Sequence, residues 1–414
     1  MVMNIAGKVW TAFWVAIFLF LSSRVVFTGD FPDNLRGVDF RMRYNEAECV
    51  RSGKDPYLVW NGTLTSDKYT PWDFKYLTSA DRLNLVHAYP PWEYAWMLPL
   101  TCLSRDTAET VFRVLSWSSI LFIAGCAFLL GYKARRAIWA GFAVATAVLL
   151  VWPAMWYCQE SLNYGILIAA AVLMALLCHR RGYDYLAGLF WSFALVKPQL
   201  GGLFVVTLLV RWKWRSLLVI GLITLLGTLV SAALCQRSPI DMVLAITHYS
   251  HRQFMSVGFI RHKLFAVLAA SFGETALIAG SAVLGIVLCL LLSWLLRPSK
   301  DVFEWAMPAV FLSTLWVVSR PHDQTINAIM FLGLAHGAVK ETRLPRLLCE
   351  LSLLLLVLLR DMDDLLLLPI GLTQILALIL LFVRGIKCKF GRSALPFHFP
   401  LIQLKCYNSS RHGR

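Results

Sequence analysis

Long apolar runs joined by short basic connections dominate the chain. Apolar segments lie near residues 9–27, 108–131, 137–157, 163–178, 184–197, 198–210, 216–235, 275–296, 303–319, 325–339, 347–359 and 365–384. About 20 apolar residues are needed for a perpendicular helix to cross the hydrocarbon layer of a bilayer, and several of these runs are shorter. The two on either side of Lys197-Pro198 predict a broken or re-entrant pair. Proline interrupts the hydrogen-bond ladder, and a lysine at that depth needs a wet or protein-lined site. The run from Val9 to Phe27 follows Lys8 without a small-x-small cleavage site, and predicts an uncleaved first helix.

The basic clusters give this pattern a direction. Lys133/Arg135/Arg136, Arg180/Arg181, Arg211/Lys213/Arg215, Arg297/Lys300, Lys340/Arg343/Arg346 and Arg384/Lys387/Lys389/Arg392 all fall on one side of the alternation. The opposite short connections carry almost no bases. The positive-inside rule then predicts an all-α polytopic membrane protein with about twelve transmembrane helices and both termini in the cytoplasm. One membrane domain fills residues 1–414 and ends in a cytoplasmic basic tail over 385–414. Two longer polar segments, 28–91 and 236–273, fall in the outer compartment, the first being a large extracytoplasmic loop. Both are too long and too polar for simple turns, which points to chemistry on the outer face.

Composition strengthens the membrane assignment. Hydrophobic residues make up 58% and charged residues 15%, against roughly 45–50% and about 25% in soluble domains. Mean hydropathy is +0.63. The net charge of +15 comes from the orienting clusters rather than from a contiguous basic surface, so no nucleic-acid partner is implied. The ten cysteines include no CxxC pair and no Cys/His spacing suited to zinc, and read mainly as small core hydrophobes.

Several polar residues stand out against this background. Asp39 lies in the stretch Gly37-Val-Asp-Phe-Arg-Met-Arg-Tyr, close to Arg41 and Arg43, at the start of an interfacial helix. It is either a carboxylate able to take a proton from a hydroxyl or a helix cap; Asp30 and Asp33 are weaker candidates beside Pro32. Tyr89-Pro90-Pro91 is either a rigid re-entry turn or a substrate contact. Gln159, Glu160 and Asn163 form a polar island at an outer turn, as a plain turn or as amides that hold sugar hydroxyls. Lys197, followed by Pro198 and Gln199, interrupts two apolar runs. Facing lipid it would cost roughly 2.5–3.5 kcal/mol, so it should face a cavity or an anion.

Arg320-Pro321-His322-Asp323 is a second such intrusion. Arg320 and His322 are good phosphate partners, with an internal Arg–Asp pair as the alternative. The second outer segment adds His262 among other basic residues. No Walker loop, GxGxxG, HExxH or GxSxG occurs, so nothing suggests ATP-driven chemistry on this chain. No metal or cofactor is called for.

The order of these motifs resembles glycosyltransferase family 87. A first helix precedes an outer loop with Asp39-Phe-Arg-Met-Arg-Tyr and Gly53-Lys-Asp-Pro-Tyr57. Tyr89-Pro-Pro91, Gln159 and Lys197-Pro-Gln199 follow, the last ahead of an Arg/Trp loop. The resemblance implies a GT-C type fold in a bacterial plasma membrane. It implies inverting transfer of a hexose, mannose foremost, from a polyprenyl-phosphate donor to a lipid-linked or glycan acceptor at the outer leaflet. It places the catalytic acid of the first outer loop on Asp39, and the donor phosphate at Lys197, Arg320 and His322. Arg41, Tyr89, Gln159, Asn163, Gln199 and His262 become candidate substrate contacts. One departure is plain: the family's Gly-Gln-x-Asn is replaced here by Cys158-Gln159-Glu160-Ser161, with Asn163 two places late. A transporter or flippase of lipid-linked sugars would also explain the helices and the intramembrane charges. It would not explain the long first loop, and no symmetric pair of broken segments marks two related halves. A polysaccharide polymerase or ligase would share the donor but should place its working loop later.

Overall fold

The computed structural model describes residues 36–59, 89–133, 158–245, 274–297 and 302–316, together with positions 379, 382 and 386. Asp30, Asp33, His262, Arg320, His322, the first predicted helix and the basic tail apart from position 386 lie outside these residues. Among the described residues the structure is helical, without strands. In chain order the helices are α1 (Val38–Arg51), α2 (Pro56–Val59), α3 (Pro91–Met97), α4 (Arg105–Lys133), α5 (Gly165–Arg180), α6 (Asp184–Ala194), α7 (Pro198–Val210), α8 (Trp214–Leu234), α9 (Glu274–Leu295) and α10 (Val302–Trp316). A 3₁₀ turn, Leu98–Cys102, joins α3 to α4.

The expected apolar runs correspond closely to α4 through α10. Arg105–Cys126 within α4 and the whole of α8 are long and apolar enough to cross a bilayer. The break at Lys197-Pro198 is present: Lys197 caps α7 in an extended conformation and Pro198 occupies its first turn. Proline is tolerated there because the first-turn N–H groups have no partner within the helix. Helix α6 spans 11 residues and α7 spans 13, about 16 Å and 20 Å of rise. Each is too short to cross the bilayer. Together they carry the chain from one basic loop to Lys197 and back. The turn between them is tight, since a Cβ added at Gly201 would lie 2.5 Å from the Ala194 carbonyl oxygen.

Around this hairpin, α5 packs on α6 and α4, α6 on α8, and α8 on α3. The α7, α9 and α10 helices form a second group that meets α5 through α10. Trp191, Phe204, Leu173, Ile168 and Ala306 belong to the shared core. Many leucines and valines on α8 and α9 remain exposed, among them Leu222, Leu225, Leu226, Val283 and Val287. In a membrane protein these outward apolar faces meet lipid instead of water.

Helix α1 lies across one end of this bundle, against α3, α4 and the 3₁₀ turn. Its inner face carries Phe40, Ala47 and Val50, but also Arg43 and Glu46. Gly37 precedes it with φ +66°, a left-handed conformation that glycine adopts without steric cost. Its N–H donates to the Glu160 carbonyl at 2.7 Å, which docks the start of α1 on the 158–163 turn.

Candidate functional site at the end of the bundle opposite the basic loops

The turn before α5 and the break after α6 lie at the same end of the α5–α6 hairpin, so Asn163 and Lys197 meet. Lys197 Nζ donates to Asn163 Oδ1 at 2.7 Å. The same oxygen accepts the Gly165 N–H at 3.0 Å. The amide nitrogen of Asn163 donates to Asp39 Oδ2 at 2.9 Å. Two donors converge on one end of the amide and a carboxylate on the other, which fixes its orientation. Lys197 and Asn163 are buried, at 1% and 3% exposure, whereas Asp39 keeps partial exposure.

Asp39 sits in the first turn of α1, where a negative charge complements the helix dipole. The cap position falls to Gly37, which makes no side-chain cap. Asp39 therefore does not serve as the N-cap, and its carboxylate turns to Asn163. The two arginines expected beside it diverge. Arg41 donates to the Arg36 carbonyl. Arg43 turns into the protein, pairs with Glu46 at 2.7 Å and stacks 4.2 Å from the centroid of the Tyr89 ring. Lys197 Nζ lies 5.9 Å from the same centroid, so Tyr89 forms a wall shared by two cations.

Tyr89 is positioned by a second set of contacts. Tyr57 donates its hydroxyl to the Tyr89 carbonyl at 2.6 Å. Asp55 caps the Tyr57 N–H at 2.8 Å and pairs with Arg237. Pro90 is extended and Pro91 opens α3. The α3 segment is pinned where Ser231 donates to the Pro91 carbonyl (2.8 Å) and Trp92 Nε1 donates to the Leu195 carbonyl (3.0 Å).

This pinning aims Glu93 inward. Glu93 is fully buried, and neither carboxylate oxygen accepts a hydrogen bond of good geometry. Burial pushes its carboxyl up to about 7, against Arg43, Tyr164 and Lys197, which all favour the ionised form. The Tyr164 hydroxyl makes no bond of good geometry, and the Ser161 hydroxyl and both amide atoms of Gln159 are likewise buried without one. Among the described residues, no group of three His, Cys, Asp or Glu side chains is spaced to hold a metal ion.

A family model of glycosyltransferase family 87 matches residues 87–319, more than half of the chain. The chain belongs to glycosyltransferase family 87. No curated protein and no solved structure matches it. Membership, together with the apolar helices, makes the chain a membrane glycosyltransferase acting on a sugar donor and an acceptor.

The family match includes Tyr89, Glu93, Asn163 and Lys197, while Asp39 precedes it. The structure thus gathers Asp39, Tyr89, Asn163 and Lys197 at one end of the bundle. Gln159 lies on the same turn as Asn163, and Gln199 follows Pro198 in the first turn of α7. Sequence reasoning missed Glu93 and the inward turn of Arg43. A signal for Glu93 was present: an acid between Trp92 and Tyr94, ahead of the apolar stretch 95–100, is the same kind of anomaly that singled out Lys197.

Proposed function

We propose that this glycosyltransferase moves a hexose, mannose foremost, from a polyprenyl-phosphate donor to a lipid-linked or glycan acceptor at the outer face of the membrane, with inversion. One observation carries the reading: a single amide, Asn163, holds a cation and a carboxylate on either side of it. Hydrogen bonds of 2.7 and 2.9 Å at its two ends, on an amide about 2.3 Å across, keep the Lys197 ammonium within about 8 Å of the Asp39 carboxylate. Inverting glycosidases place their two working groups at a comparable separation, roughly 6.5–9.5 Å, to leave room for the nucleophile.

The chemistry follows from that separation. Asp39, the more exposed partner, takes the proton of the acceptor hydroxyl as that oxygen attacks the anomeric carbon. The bond to the phosphate breaks on the opposite face of the sugar, and the departing lipid phosphate gathers charge beside Lys197. An ammonium has three donors and can bind Asn163 and an anion together. In this reading Arg320 and His322 join Lys197 at the phosphate. The sugar arrives already activated on a membrane lipid, so the reaction needs no nucleotide pocket.

The basic loops support an outward-facing site. Arg180, Arg181, Arg211, Lys213 and Arg215 flank the hairpin helices at the end opposite Asn163 and Lys197. With that end in the cytoplasm, the termini fall on the cytoplasmic side and Asp39 faces the other compartment.

Reconstitution of the purified protein in liposomes with radiolabelled polyprenyl-phosphate mannose and candidate acceptors tests the reading. Label should pass to the acceptor with inverted configuration. Movement of intact donor between leaflets without transfer would replace it with a flippase.

A further inference from the structure

The transfer reading leaves Glu93 without a role, and physical chemistry makes an idle Glu93 expensive. An unpartnered buried carboxyl is among the costliest groups a protein can carry. The ordinary structural explanations for an acid at this place fail. Glu93 occupies the third position of α3, where a glutamate usually reaches back to the N–H of the capping residue. The capping residue is Pro90, which has no N–H. The two cations that influence it are engaged elsewhere: Arg43 with Glu46 at 2.7 Å, and Lys197 with Asn163. Neither donates to Glu93 with hydrogen-bond geometry; the Tyr164 hydroxyl lies close enough to favour its ionised form, yet neither carboxylate oxygen accepts a bond of good geometry.

What surrounds Glu93 has the chemistry of a sugar subsite. The rings of Tyr89 and Tyr164 lie 5.9 Å apart, tilted by 50°, an aromatic pair of the kind that borders sugar sites. Tyr164 adds a buried hydroxyl next to Glu93, and Gln159, on the same turn as Asn163, has both amide atoms buried without a hydrogen bond of good geometry. Lys197 and Asn163 tie this neighbourhood to Asp39.

We propose that Glu93 is a sugar-reading residue, accepting hydrogen bonds from hydroxyls of the transferred hexose and so setting which sugars the site accepts. This inference rests on the transfer reading above. A neutral hexose supplies well-aligned donors for both Glu93 oxygens. A deoxy sugar leaves an oxygen unpartnered, and a uronic acid brings a second carboxylate against it. Glu93 thus selects for neutral, hydroxyl-rich sugars.

The test compares two lipids of equal charge: the polyprenyl-phosphate hexose, and a polyprenyl methyl phosphate diester that has no sugar. Glu93→Gln should weaken binding of the sugar lipid about ten- to hundredfold, the range of a hydrogen bond to a charged group, and change binding of the methyl diester less than about twofold. Equal losses for both lipids would make Glu93 a charge balancer for Lys197 and overturn the proposal. So would no loss for either. A second measurement needs no variant. The wild-type protein should bind at least one monodeoxy donor about tenfold more weakly than the parent; equal binding of every deoxy donor would mean that no hydroxyl is read there. The underlying transfer reading fails separately, if Lys197→Ala leaves binding of the methyl diester unchanged.

Discussion

The α5–α6 hairpin carries a buried polar network at each of its ends, and the two are built differently. At the basic-loop end, His179 Nδ1 and Asp184 Oδ1 are 2.8 Å apart, and Trp191 Nε1 donates to His179 Nε2 at 3.0 Å. An indole N–H can only donate, so Nε2 is the acceptor and Nδ1 carries the proton given to Asp184. Lys213 Nζ completes the carboxylate at 3.1 Å, and Ser216 donates to the Asp184 carbonyl at 2.6 Å. Neither His179 nor Asp184 has a buried polar atom without a partner. At the other end, the Asp39–Asn163–Lys197 relay sits beside Glu93, Tyr164, Gln159 and Ser161, which do have such atoms. A closed network joins helices. An open one holds hydrogen-bonding capacity that water or a ligand can fill.

Substitutions at the open end should therefore alter chemistry more than folding. The largest effect belongs to Asp39→Asn, which keeps shape and the contact with Asn163 while removing basicity. Turnover should fall about 10²–10⁴-fold, with donor binding retained, as read by transfer of labelled sugar and by lipid binding. Lys197→Ala should come next, lowering transfer about 10²–10³-fold and weakening donor binding as well; normal binding would remove Lys197 from the phosphate.

A smaller effect concerns pH. Burial holds the Glu93 carboxyl at about 7, against an ordinary value of 4.5. An acid raised on folding contributes stability that is present below its unfolded value and lost as pH climbs through the folded one. The unfolding temperature should accordingly drop between about pH 4.5 and about pH 7, and Glu93→Gln should flatten that drop. An identical profile in the variant would show that Glu93 does not titrate in this range.

The parts of this arrangement that were legible in the sequence share one physical origin. Lys197 between apolar runs, and proline after it, violate what a lipid-facing helix tolerates, so both the break and the need for a partner could be read directly. Helices α4 to α10 follow from apolar length alone. The partners themselves were not legible. Asn163 lies 34 residues from Lys197 and 124 from Asp39, and no local pattern announces that the hairpin brings them together. Arg41 and Arg43 look equivalent in sequence. The register of α1 separates them, sending Arg41 to a carbonyl and Arg43 inward beside Tyr89. Glu93 was hidden by its neighbours, since Trp92 and Tyr94 read as interface anchors.

The contrast between the two ends is tested most directly by measuring transfer rate and unfolding temperature together for Asp39→Asn and Asp184→Ala in the same lipid. Opening the closed network should cost about 1–3 kcal/mol per lost partner, so Asp184→Ala should melt several degrees lower while each folded molecule still transfers sugar at a near-normal rate. Asp39→Asn should show the reverse, an unchanged melting temperature with transfer reduced about 10²–10⁴-fold. An Asp39→Asn protein that transfers sugar at the wild-type rate would contradict the account, whatever Asp184→Ala does.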